Sequence, residues 1–152
     1  MSRKRSSYRR GKVIPGGHLP QPKKHVESRE MKALMALTAL ESGFFNGDML
    51  IDLLWFVTEC QKIAKARGDD KTGWAVVDVL TNLNSVLDRF ERTQKWGING
   101  DERTVLKRHM LGLVEFYRTA SRSESSAAGA IVTKRLSAAL DASLPETPRE
   151  CT

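Results

Sequence analysis

Cysteine is scarce in this chain of 152 residues: there are two, Cys60 and Cys151. Two thiols cannot build a disulfide framework, and two distant ones cannot supply the roughly four converging ligands of a structural zinc site. Cys60 lies in an apolar run and Cys151 beside the terminus, so both are expected to be reduced. Long apolar runs are missing as well. No stretch approaches the about 18 residues that a membrane helix needs, and no apolar segment follows the charged N-terminus as in a secretory leader. These absences predict a cytoplasmic protein that makes no membrane contact.

Catalytic signatures are also lacking. The chain contains no phosphate-binding G-x-x-x-x-G-K-[ST], no G-x-G-x-x-G after a strand, no nucleophile elbow and no H-E-x-x-H. His18 and His25 fall in a Pro- and Gly-rich stretch that fixes no ligand geometry. His109 would need Glu102 or Glu115 as an orienter to act as a base, and an edge-packed histidine beside Arg108 is the simpler reading. Cys60 has Val57, Ile63 and Ala64 as neighbours, which are core material. The pairs Asp69–Asp70 and Asp101–Glu102 stand at helix starts, where the macrodipole favours negative charge. The expectation is a non-enzymatic protein with no catalytic residue, no metal and no cofactor.

The most informative absence is local. Residues 1–25 contain no Asp or Glu, but they carry Arg3, Lys4, Arg5, Arg9, Arg10, Lys12, Lys23 and Lys24. That segment is +8 within a chain of net charge +7, so residues 26–152 hold −1. Basicity belongs to one segment and not to the fold. The same stretch has "IPGGHLPQP", in which proline removes donors and glycine adds entropy, with little apolar surface to bury. Residues 1–26 therefore read as a flexible basic arm, residues 27–144 as a helical domain and residues 145–152 as a flexible tail. Fully extended, 25 residues reach roughly 80 Å.

Within the domain, apolar residues recur at helical spacing and never alternate as in strands. "SREMKALMALTALESG" predicts a helix from Ser28 as N-cap to Gly43, with Met31, Leu34, Met35, Thr38 and the flanking Leu37 and Leu40 at helical spacing. After "GFFNGD", with Asn46 or Asp48 as cap, a second helix runs to Gly68. Its first half is apolar nearly all round, as in a helix central to a bundle or buried on a second chain. A third helix carries Val76, Val79 or Leu80, Leu83, Val86 or Leu87, and Phe90 on one face and closes at Gly97. A fourth opens at Asp101 with Leu106, Met110, Leu113 or Val114, and Tyr117 inside. "SRSESSAAGA" either interrupts that helix or continues it, and Pro145 ends the pattern. The predicted class is all-α, a four- or five-helix bundle with a basic N-terminal arm.

Most aromatics, namely Trp55, Phe56, Trp74, Phe90, Phe116 and Tyr117, read as core by their helical spacing. Phe44, Phe45 and Trp96 sit instead in turns beside Gly43, Gly47 and Gly97. They either staple the following helix or anchor a partner protein.

The opening "RKRSSYRRGKV", then "MKALMALTALESGFFNGDMLIDLLWFVTECQKIA" with Leu34, Ala36, Leu37, Gly43, Asp48, Leu50 and Ile51, and later "WGINGDERTVLKRHMLGL", together resemble a group of small accessory proteins of phages and prophages of Gram-negative bacteria. The resemblance implies a setting, a mobile-element protein in a bacterial host cell, and no particular chemistry.

Two functions follow. In the first, Arg3, Lys4, Arg5, Arg9, Arg10, Lys12, Lys23 and Lys24 neutralise the phosphates of DNA or RNA, and Tyr8 stacks on an unpaired base. A homodimeric body would present two such arms. In the second, the body captures a host protein, a polymerase or defence complex, through Phe44, Phe45 and Trp96.

Overall fold

The computed structural model describes residues 18–143. They form five helices: α1 (Lys23–Ser42), α2 (Gly47–Arg67), α3 (Asp70–Thr93), α4 (Gly100–Arg118) and α5 (Arg122–Ser143). The fold is an all-α bundle, with no strand among the described residues. No described helix is long and apolar enough to cross a membrane.

The second helix is the axle. α2 packs against each of the other four helices, whereas α5 packs on α2 alone. That placement explains why the first half of α2 is apolar nearly all round. It buries Leu53, Phe56, Val57, Cys60, Ile63 and Ala64 in several directions at once. α3 and α4 behave as their spacing predicts. Val76, Val79, Leu83 and Val86 on α3 meet a core that includes Leu106, Met110, Leu113 and Tyr117 on α4.

The helix ends follow local chemistry in most places. Asn46, in extended backbone, accepts from Met49 N at 2.9 Å and caps α2. Asp69 caps α3 by accepting from Thr72 N at 3.0 Å and Thr72 Oγ1 at 2.7 Å. Gly43 and Gly68 close α1 and α2 in the left-handed region, at φ 79° and 69°.

Three boundaries differ from expectation, and one that the sequence left open is a break. α1 starts at Lys23, five residues before Ser28, on Pro22 and without any side-chain cap. Tertiary ties substitute for the cap. Buried Gln21 donates to Tyr117 O at 3.4 Å, Pro20 bridges Ser121, and Arg122 N donates to Leu19 O at 3.0 Å. α3 stops at Thr93 and not at Gly97, because Gln94 takes the left-handed conformation at φ 56° and donates its N–H to Phe90 O. α4 is capped by Asn99, in a reciprocal box with Glu102, and Asp101 lies in its first turn. The chain also breaks after Arg118. Ser121 N donates to Glu124 Oε1 at 3.0 Å and Glu124 N to Ser121 Oγ at 3.3 Å, the same reciprocal arrangement opening α5.

Candidate functional site

The residues expected to bind nucleic acid divide at the edge of the described fold. Arg3, Lys4, Arg5, Tyr8, Arg9, Arg10 and Lys12 lie outside the described residues. Lys23 and Lys24 belong to the first turn of α1 and not to an extended arm, and Lys23 Nζ stands 3.7 Å from Glu27 one turn on. His25 also sits in that turn, with Nε2 at 3.3 Å from the Tyr117 hydroxyl. The basic segment thus joins the body where Leu19 and Pro20 are pinned to the α4–α5 corner.

The three turn aromatics separate. Phe45 is buried and meets Trp96 edge-on at 5.0 Å, and Trp96 stacks on Phe90 at 3.9 Å. These rings close the bundle near the α3–α4 turn, and Phe45 belongs to the core. Phe44 does the opposite and is 80% exposed.

Phe44 borders an open apolar groove along α1, lined also by Met31, Leu34, Met35, Ala39 and Met49, with a cavity volume of about 670 Å³. The apolar residues expected at helical spacing along α1 divide between two faces. Ala33, Ala36, Leu37 and Leu40 are the buried set, while Met31 and Met35 point out at 62% and 59% exposure. Both sets have the i, i+3, i+4, i+7 spacing, so spacing alone does not choose between them. The small alanines win because they let α1 approach α2 and α4 closely.

A second opening lies between α3 and α4. It holds about 620 Å³ and is lined by Lys71, Trp74, Ala75, Arg108, Gly112 and Leu113, among others. Trp74, expected in the core, is 70% exposed. It stands two residues before Val76, about 200° round the helix from the buried stripe, so the period that identifies the α3 core also excludes Trp74 from it. At the far end of this opening His109 Nε2 lies 3.2 Å from Asp78 Oδ2 on α3. Its carboxylate partner is therefore neither Glu102, which is engaged with Arg89, nor Glu115.

A buried polar cluster occupies the seam of α2 with α4 and α5. Glu59, 2% exposed, accepts from Trp55 Nε1 at 3.1 Å, with the Arg29 guanidinium at 3.7 Å. Gly129 leaves room for it, since a Cβ there would come within 3.3 Å of Glu59 Oε1. The Tyr117 hydroxyl sits 3.3 Å from both Ser125 Oγ and His25 Nε2. Burial pushes the Tyr117 phenol up to about 12, with the Glu59 charge adding to the effect, so it remains protonated. Cys60 is fully buried, and burial followed by the Glu59 charge pushes its thiol far above its ordinary range. These groups are built for interior hydrogen bonding. No group of three His, Cys, Asp or Glu among the described residues is arranged to hold a metal.

The chain matches no family model, no curated protein and no solved structure.

Proposed function

We propose that this is a non-enzymatic binding protein whose basic N-terminal segment contacts nucleic acid, or a complex that contains it, in the cytoplasm of a bacterial host of a phage or mobile element. The observation that carries this reading is the partition of charge, +8 in residues 1–25 against −1 in the rest. Cations at that density gain from counterion release on a polyanion. A body near neutrality adds no long-range attraction of its own, so contact is directed to one end of the molecule.

The fold dictates where to cut. Leu19, Pro20 and Gln21 are tied to the α4–α5 corner, so a chain lacking residues 2–17 keeps those ties and removes Arg3, Lys4, Arg5, Arg9, Arg10 and Lys12. Binding of the intact and shortened chains to duplex DNA and single-stranded RNA is compared across salt concentrations. The expected result is a log–log salt slope of about −3 for the intact chain, with about half of those six cations engaged, and its collapse in the shortened chain. Equal binding by both chains would sink the reading.

The α1 groove favours a second reading, an adaptor or inhibitor that seats an amphipathic helix of a host protein. Methionine and an outward phenylalanine make an adaptable apolar surface of the kind that accepts helical anchors. Met31→Glu with Phe44→Ala should then abolish capture of the partner and leave nucleic-acid affinity unchanged.

A further inference from the structure

The outer side of α1 is built unlike its inner side. Leu37 and Leu40 join the core, whereas Met31, Met35 and Phe44 stand outside it. Phe44 is held in that position from both sides. Its N–H donates to Ala39 O at 3.0 Å, and the next ring, Phe45, is locked in the core. The result is a fixed apolar projection at one end of a groove that runs back along α1 past Met35 and Met31 to Glu27. Exposed apolar surface of this kind marks an interaction site. Knob and groove lie on one chain, which is what a self-complementary pair needs.

Charge chooses the occupant. Residues 23–32 carry Lys23, Lys24, Arg29 and Lys32 against Glu27 and Glu30, a sum of +2. Residues 33–52 carry Glu41, Asp48 and Asp52 and no cation, a sum of −3. Ion pairs with neighbouring helices leave that polarity in place. α4 adds Arg118 at Glu30 and Lys107 at Glu41, and Arg29 turns to buried Glu59, so the two ends stand at +2 and −2.

This polarity is the reverse of what an isolated helix favours. α1 has no acidic residue in its first turn and no basic residue in its last, so Lys23 and Lys24 sit at the positive pole of the macrodipole. A second α1 running antiparallel places each lysine end beside the partner's acidic end and negative pole. The parallel alternative sets Lys23 and Lys24 against their own copies. Residues 26–152 sum to −1, so two bodies approach without long-range repulsion. The antiparallel arrangement also parts the two basic N-terminal segments by roughly 30 Å, the length of a 20-residue helix and several Debye lengths.

We propose that the chain forms an isologous homodimer through the outer face of α1. The two helices run antiparallel, with Met35 near the two-fold axis and Phe44 of each copy seated in the Met31 end of the other copy's groove. The dimer does not depend on the nucleic-acid reading, and it claims for a second copy the groove that the adaptor reading gives to a host helix.

Sedimentation of the intact chain from about 1 μM to about 1 mM reads the monomer–dimer equilibrium, and a dimer is expected within that range. Met35 is exposed in the single chain, so Met35→Glu is compatible with the fold. It brings two carboxylates together at the axis and should weaken the dimer by about 100-fold or more, whereas Met35→Leu should largely keep it. Phe44→Ala should weaken it about tenfold and leave the stability of the monomer as it is. Lys24→Glu separates interface from fold by sign. An acid in the first turn stabilises α1, yet it should weaken the dimer, and Asp48→Lys in the same chain should recover part of the loss. A chain that stays monomeric throughout overturns the proposal and leaves the groove to a host helix. A dimer indifferent to Met35→Glu and Phe44→Ala overturns it as well, because self-association then uses another face. Dimerisation only of the chain lacking residues 2–17 would make the N-terminal segment the occupant and overturn it too. None of these outcomes bears on the nucleic-acid reading, which falls if that shortened chain binds nucleic acid as the intact one does.

Discussion

Arg67 grips Glu124 at two points, Nε to Oε2 at 2.6 Å and NH2 to Oε1 at 2.9 Å, and also donates to Thr119 Oγ1 and O. One guanidinium from the end of α2 therefore fastens the corner where α4 gives way to α5. Its hydrogen bonds, ahead of other causes, hold the Glu124 carboxyl down at about 2 against an ordinary 4.5. A depressed carboxyl stabilises the fold above its unfolded pKa and loses that contribution as pH falls through the folded value. Glu124→Gln should cost about 1–2 kcal/mol at pH 7, a figure reduced for partial solvent screening. In urea melts the gap between parent and variant should narrow progressively from pH 4.5 toward pH 2. A gap that stays constant with pH would show that the pair is not what holds the corner.

Adjacent phenylalanines should behave oppositely. Phe45→Ala removes a buried ring and its edge contact with Trp96, and should cost about 3–4 kcal/mol. Phe44→Ala alters an exposed ring and should change stability by no more than about 0.5 kcal/mol. Thermal or urea unfolding of the two variants side by side checks the pair.

Gln94 is the one non-glycine residue with positive φ among those described. Gln94→Gly should relieve the left-handed strain and raise stability by up to about 1 kcal/mol. Gly43→Ala and Gly68→Ala, at φ 79° and 69°, should each lower it by about 1 kcal/mol. Chemical denaturation midpoints of the three variants give the comparison.

Three tryptophans give a direct optical check on the surface. Trp55 and Trp96 are half-buried and packed on neighbours, while Trp74 faces water. Acrylamide should quench a red-shifted component that disappears in Trp74→Phe, leaving a bluer and better-protected spectrum. Identical quenching before and after the substitution would place Trp74 inside.

Where the residues encode their own answer, the fold was legible. The stripes of α3 and α4, the glycine stops at Gly43 and Gly68, and the centrality of α2 all follow from spacing and turn chemistry. The start of α1 was not legible, because it depends on Gln21 and Pro20 meeting residues about a hundred positions away. Nor was the outward turn of Met31 and Met35, since two faces of α1 carry the same spacing. The break before α5 was written as Ser-x-x-Glu in Ser121–Glu124, a signal overshadowed by the alanines that follow. Trp74 was likewise marked by its offset from Val76, which outweighs the general tendency of aromatics to be buried. The basic residues Arg3 to Lys12 fall outside the described residues.

The Arg118–Glu30 pair joins residues 88 positions apart, both guanidinium and carboxylate meeting at two atoms. During synthesis at about 5–20 residues per second, α1 waits on the order of 4–18 s before its partner on α4 has been made. Over that interval Glu30 stays hydrated, and α1 lacks the ties at Gln21 and Pro20 that replace its missing cap. The basic residues 3–12 are thus synthesised before the body that will carry them has closed. Anything that perturbs the α4–α5 corner should therefore act on α1 as well, although the two lie at opposite ends of the order of synthesis.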